Sequence, residues 1–392
     1  MRRFDQHIAT RLAHLEERGL LRDPWVSDIP SGTHVEVAGR RLLNLCSNNY
    51  LGLADDPRVL ALLRDASARW GSAAASRLVS GSLRPHRDAE RALASFVGQP
   101  DARLFSSGYA ANVGALSALV GPNDLIFSDA LNHASLIDGC RLSRAQVHIF
   151  PHRNLDALEA LLRTHRARGE AALLVTDAVF SMDGDIADLV ALRRLADAYD
   201  AGLFVDEAHS LGVLGPEGRG LAAAVGIRAD VTSGMLGKAF GLAGGLVAGS
   251  GPVIRLLEST ARSYVFSTGV HAALAAILPA LTDIVRRSDD ARARLVAHRR
   301  TLLAALAHLP GVPTGLHPSV PILPVIVGEG PRALAIADRL VAHGLFVRGI
   351  RPPTVAPGTA RLRLVPMATH RDEDIAVAAE ALAHELAQEL AG

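Results

Sequence analysis

Short apolar runs that end on polar residues and alternate with helical stretches constrain this chain more than any other feature. Residues 103–106, 124–127, 146–150, 172–177, 202–206, 230–233 and 245–248 read as strands, most of them apolar on both faces. A strand that lacks the in–out alternation of a half-exposed sheet is buried on both sides, and helical crossovers are what bury it. The pattern predicts an α/β fold around a mostly parallel, seven-stranded sheet. In such sheets ligands lie beyond the carboxyl ends of the strands, so the residues just after each run are the first candidates for chemistry.

At 392 residues the chain is too long for one small core. The expected division is an N-terminal arm and small hairpin (1–45), a large domain (46–285) and a smaller α/β C-terminal domain (286–392). Phe4, Ile8, Leu12 and Leu15 recur at helical spacing and predict a first helix closing near Gly19. A long alanine- and leucine-rich helix is expected from about 271 to 309, broken near Ser288. With 49% hydrophobic and 21% charged residues and a net charge of +1, there is no bulk attraction to nucleic acid or to a membrane. Cys46 and Cys140 form neither a disulfide framework nor a metal motif, and both are expected to be buried packing residues in a reducing compartment. No apolar leader segment opens the sequence and no run of 18 apolar residues follows, so the expectation is a cytoplasmic protein.

Two motifs carry the chemistry. The run 202–205 ends in Asp206-Glu207-Ala208-His209, and downstream Lys238 lies between Gly237 and Ala239 in the stretch VTSGMLGKAFGLAGG. Lysine is by a wide margin the rarest charged residue here, and a dry setting favours its neutral, nucleophilic form. From that stretch alone a lysine snorkelling over the core is equally open. An acid and a histidine at a strand end, upstream of a glycine-flanked lysine, instead suit pyridoxal phosphate: Asp206 for the pyridinium N–H, His209 for the ring oxygen, Lys238 for the aldehyde. The strand end at Ser106-Ser107-Gly108-Tyr109 opens a helix, an arrangement that favours a phosphate. His133 after one strand is placed to stack on a planar ring, and Ser181 after another to donate to a cofactor oxygen; a structural histidine and a helix cap are the plainer alternatives. Walker A, GxGxxG, HExxH and GxSxG patterns are all absent.

With those residues in view the chain resembles the α-oxoamine synthases, pyridoxal phosphate enzymes of fold type I, through SNNYLGL, GSxxxSRLVSG, FSSGYAAN, LNHASL, VFSMDGD, VDEAH, LGKAFG and IRPPTVAPGTARLRL. The last segment is similar to the branch that uses a pimeloyl thioester. The resemblance implies that Lys238 holds the cofactor covalently, Asp206 meets its pyridine nitrogen, His209 and Ser181 its phenolic oxygen, and His133 its ring face. It places Ser107, Gly108 and Tyr109 at the phosphate, Asn48 and Arg363 at an amino-acid carboxylate, and Arg22 and Thr354 at the acyl substrate. It further implies a homodimer, with Ser267 and Thr268 reaching the other subunit's phosphate, and a decarboxylative condensation of alanine with an acyl thioester on coenzyme A or acyl carrier protein. Another amino acid or thioester, such as glycine with acetyl-CoA, stays open, as more distantly do an aminotransferase and a non-catalytic homologue. Met235 stands where the family carries a phosphate-binding threonine, and Ala73-Ala74-Ala75 replaces a stretch richer in glycine.

Overall fold

The expected strands assemble into one sheet. In the computed structural model, which describes residues 2–22, 24–30, 32–71 and 75–390, they are β1 (Asp101–Phe105), β2 (Leu125–Asp129), β3 (Gln146–Phe150), β4 (Ala172–Asp177), β5 (Gly202–Asp206), β6 (Val231–Met235) and β7 (Gly245–Gly249). Their order across the sheet is β1-β7-β6-β5-β4-β2-β3. Every pairing from β6 to β3 is parallel, and β7 alone runs antiparallel, to both β1 and β6. The apolar runs are buried because helices cover the sheet. The helix Gly108–Leu119, almost without polar residues, packs with Leu173, Val175, Phe204, Val231 and Val247 in one core. Of the alanines that replace glycine, Ala73 and Ala74 lie outside the described residues.

The chain divides into two units, 48–296 with 316–320, and 1–47 with 297–315 and 321–392. The first holds the seven-stranded sheet. The second is built from both ends of the sequence: the hairpin His34–Val37 and Arg40–Asn44 turns at Ala38 and Gly39, both with positive φ, and Leu345–Phe346 adds to it in parallel. A second small sheet sets Ala360–Leu364 between Leu323–Gly328 and Gly349–Ile350. The strand expected over 345–348 therefore ends at Phe346, and the backbone turns to serve a different sheet from Gly349. The break expected near Ser288 separates the helices Ala272–Arg286 and Asp289–Leu306.

Among the described residues the first helix, Arg3–Glu17, forms as its spacing predicts, yet none of its side chains is buried. Cys140 packs in the core, whereas Cys46 is only half-buried, its thiol directed at the Phe346 carbonyl 3.3 Å away. Loss of surrounding water pushes both thiols up to about 12, so neither is a nucleophile near neutral pH.

Candidate active site

Two carboxylates stand side by side at the carboxyl edge of the sheet, because β4 and β5 run parallel with Asp177 and Asp206 in register. Asp206 is 4% exposed and well bonded: Asn112 Nδ2 donates to its Oδ2 at 2.6 Å, and the Ala208 amide to its Oδ1 at 2.8 Å. The same Asn112 nitrogen donates to Ser135 Oγ at 2.8 Å, and that hydroxyl meets His133 Nδ1 at 2.7 Å. His133 in turn donates its backbone N–H to Asp177 Oδ2 at 2.7 Å. One hydrogen-bonded path thus joins the two acids through a helix and a loop. Burial, then the charge of Asp206, pushes the Asp177 carboxyl well above the usual range. The His133 ring, though exposed, is held below the ordinary imidazole value by the water it loses to the surrounding loop, and further by the Lys238 ammonium, with Asp206 pulling the other way.

Lys238 is the only lysine in a chain of 41 lysine and arginine residues, and it is 9% exposed. The loop that presents it is closed on itself: Leu236 and Gly244 are bonded N–H to carbonyl, as are Leu242 to Leu236 and Gly241 to Lys238. Gly241 is required there. Its φ is +64°, and a Cβ would stand 2.3 Å from the Ala54 amide nitrogen. His209 follows β5, and its Nδ1 lies 2.6 Å from the Tyr50 hydroxyl. Tyr50 OH also lies 3.2 Å from Asn48 Oδ1. The phenol has one proton for two neighbours and an amide oxygen only accepts, so with the phenol donating to Asn48 Oδ1 it is His209 Nδ1–H that donates to the phenol oxygen.

The helix Gly108–Leu119 begins with Ser107 as its cap, the hydroxyl accepting the Ala110 amide. Its first turn is hemmed in by backbone: a Cβ on Gly245 of β7 would fall within 2.6 Å of the Gly108 nitrogen, and one on Gly108 would meet Met235 Cβ at 3.0 Å. Tyr109 is exposed and donates to Asp138 at 2.5 Å, a bond that raises its pKa. Ser181 is half-buried on the loop closed by Phe180 N–H to Asp185 O and Gly184 N–H to Phe180 O. Thr268 is exposed and bridges to Ser76, with Ser267 half-buried beside it.

The remaining expected residues belong to the other unit, apart from Asn48. There Arg22 Nη2 donates to Thr354 Oγ1 at 2.9 Å, and Arg351 holds the Gly19 and Leu21 carbonyls, so the arm and the RPPTV loop are tied together. Arg363 is buried on Ala360–Leu364. Sequence reasoning missed Asn112, Asp177 and Tyr50. Asn112 closes the FSSGYAAN motif one turn after Gly108, and Asp177 ends its strand as Asp206 does, so both signals were present in the sequence.

A model of the family described as aminotransferase class I and II matches residues 40–382, and the chain belongs to that family, as a pyridoxal phosphate enzyme of fold type I. Within it the chain groups with 8-amino-7-oxononanoate synthases. It is 48% identical to the one from Anaeromyxobacter dehalogenans over 93% of this chain and 91% of that one. It is 45% identical to that from Geobacter sulfurreducens over 96% and 97%. Among solved structures, serine palmitoyltransferase from Sphingomonas wittichii matches with TM-score 0.89 and 32% identity over 98% of each chain. An 8-amino-7-oxononanoate synthase from Francisella tularensis matches with TM-score 0.75 and 27% identity over 89% of this chain and 98% of that one. Among the described residues no helix is long and apolar enough to cross a membrane.

Proposed function

We propose that this protein joins L-alanine to a pimeloyl thioester, carried on coenzyme A or acyl carrier protein, releasing carbon dioxide and free thiol and leaving 8-amino-7-oxononanoate. It works in the cytoplasm as a homodimer. The observation that carries the reading is a buried Asp206 fixed by Asn112 and the Ala208 amide in the same unit as the chain's single, nearly buried lysine, with both charges acting on His133. Identity of 43% to 48% with proteins of this name outweighs the closer backbone match to serine palmitoyltransferases, which share about 30% of the sequence.

The residues suit pyridoxal phosphate. A carboxylate fixed in place by two donors fits a pyridinium N–H, and the amide-rich start of Gly108–Leu119 fits a phosphate. The cofactor supplies an electron sink for the charge left when a substrate bond to the α-carbon breaks. Asp206 would face the ring nitrogen and His133 the ring, while His209 and Ser181 would meet the phenolic oxygen. Lys238 would hold the cofactor covalently, and its amine would take the α-proton of alanine. Ser107, Gly108 and Tyr109 serve the phosphate, joined across the subunit boundary by Ser267 and Thr268. Asn48 and Arg363 hold the amino-acid carboxylate, and the Arg22–Thr354 pair meets the acyl substrate.

A matrix of amino acids against thioesters tests the reading. Alanine with a pimeloyl thioester should release thiol and carbon dioxide faster than glycine with acetyl-CoA or succinyl-CoA, or serine with palmitoyl-CoA. A winning glycine and short thioester would reject the substrate and keep the reaction class. Pyruvate without thiol would mark an aminotransferase. Arg363→Ala should raise the KM for alanine by about tenfold or more while leaving that for the thioester nearly unchanged, since a guanidinium–carboxylate pair is lost.

A further inference from the structure

We propose that His152 is a positioning residue for the cofactor: its two ring nitrogens tie the loop that carries His133 to the loop that carries Ser181 and so set the spacing between them. The proposal rests on the roles given above to His133 and Ser181. His152 lies on the turn after β3. Its Nδ1 is 2.8 Å from Asp129 Oδ1 and its Nε2 is 2.8 Å from Asp185 Oδ2. Both partners are carboxylate oxygens, which only accept, so satisfying both contacts requires N–H on both nitrogens and an imidazolium between two acids.

Each acid anchors a loop of the site. Asp129 ends β2, accepts the Leu131 amide through Oδ1 and the Arg153 amide through Oδ2, and lies at the root of the segment leading to Asn132 and His133. Asp185 closes the turn that begins at Phe180, its carbonyl accepting the Phe180 amide, with Ser181 inside that turn. The His152 ring also meets Phe180 edge-on, with centroids 4.4 Å apart. Two further ionisable groups face this cluster: Arg153, whose Nη1 donates to Asp185 Oδ2 at 3.1 Å, and Asp177, which acts on Asp129. Every member belongs to the unit of the large sheet; Arg153 makes a second tie, its amide on Asp129 and its Nη1 on Asp185, and the His133 amide meets Asp177 at the root of the Ser181 loop.

The test is a cycle of His152→Gln, Ser181→Ala and the double variant, read as pyridoxal phosphate affinity from visible circular dichroism of the reconstituted apoprotein. Glutamine donates to one acid and not both. His152→Gln should weaken binding about tenfold, and Ser181→Ala should lose most of its own effect in that background, a coupling of roughly fivefold or more. Single effects that simply multiply, or a His152→Gln that binds like wild type, overturn the proposal. Wild type that takes up no pyridoxal phosphate overturns the reading of the site and this proposal with it. Should His152→Gln fail to fold, Asp185→Asn gives the second measurement, the pyridoxal phosphate affinity of the apoprotein followed against pH. The alkaline loss of affinity should move to lower pH in Asp185→Asn than in wild type, because one of the two charges holding the imidazolium is gone. An unmoved midpoint overturns the proposal.

Discussion

Met235 stands where the resemblance to α-oxoamine synthases leads one to expect a threonine, and the structure gives that position a location. Its side chain lies against Gly108 and Gly237, at the first turn of the helix assigned to the phosphate, where a thioether offers no proton. Restoring the hydroxyl should help: Met235→Thr is expected to tighten pyridoxal phosphate binding by roughly 1.5 to 3 kcal/mol, the scale of a hydrogen bond to a charged group. Fluorescence titration of the apoprotein measures it, and equal or weaker affinity would mean that another donor already serves the phosphate. Ser233, two residues earlier, has a buried hydroxyl with no bonded partner among the described residues, which makes Ser233→Ala the natural companion variant. Lys238, Asp206, His209 and His133 were legible in the sequence because each follows an apolar run that names its own position. Asn112 and Asp177 sit on a readable motif and a readable strand end, but their roles, like that of Tyr50, depend on a partner far away in the chain: Asp206, His133 and His209 respectively.

At the scale of elements, runs such as 172–177 and 202–206 were readable to the residue because burial on both faces writes itself as uninterrupted apolar sequence. The direction of β7 was not written there, nor was the short pairing at Leu345–Phe346, where tertiary context overrides an apolar stretch. The approach of β7 to the Ser107–Gly108 turn is tight enough to test. Gly245→Ala would drive a methyl to 2.4 Å from the Ser107 carbonyl oxygen, into backbone that has no side chain to move aside. A loss of about 2 to 4 kcal/mol in urea unfolding is expected, with weaker cofactor binding, and an unchanged midpoint would contradict the packing described. The two-loop clasp at His152 sets a pH limit at the same scale. Although burial opposes it, bonds to Asp129 and Asp185 raise the imidazolium from 6.5 to about 9. A raised cation stabilises the fold fully below its unfolded pKa and loses that contribution as pH climbs through the folded one, so wild type should lose stability between about pH 6.5 and 9. His152→Gln should flatten that slope in thermal melts.

Across the whole molecule, the segment after Ala75 and the one around Thr268 are pinned together by the Ser76–Thr268 bridge and by the Gly269 amide on the Ala75 carbonyl. They present Leu78, Val79 and Phe266, the last two 82% and 73% exposed, an apolar grouping that a second subunit would cover. For the homodimer proposed above, Val79→Asp combined with Phe266→Asp should shift sedimentation from dimer toward monomer; an unaffected dimer would place the subunit contact elsewhere, and a monomeric wild type would reject the dimer. Composition and length announced more than one core, but not that the smaller unit draws on both ends of the chain: its partners, such as Leu43 and Leu345, lie too far apart in sequence for any local pattern to link them. That arrangement bears on how the protein is made. Residues 1–47 leave the ribosome well before 321–392 and have no lasting place until those follow, and β1 cannot join the large sheet until β7 emerges. The exposed helix Arg3–Glu17, with Phe4, Ile8, Leu12 and Leu15 along one side, therefore waits while about 300 residues are made, as surface for chaperones and proteases to read.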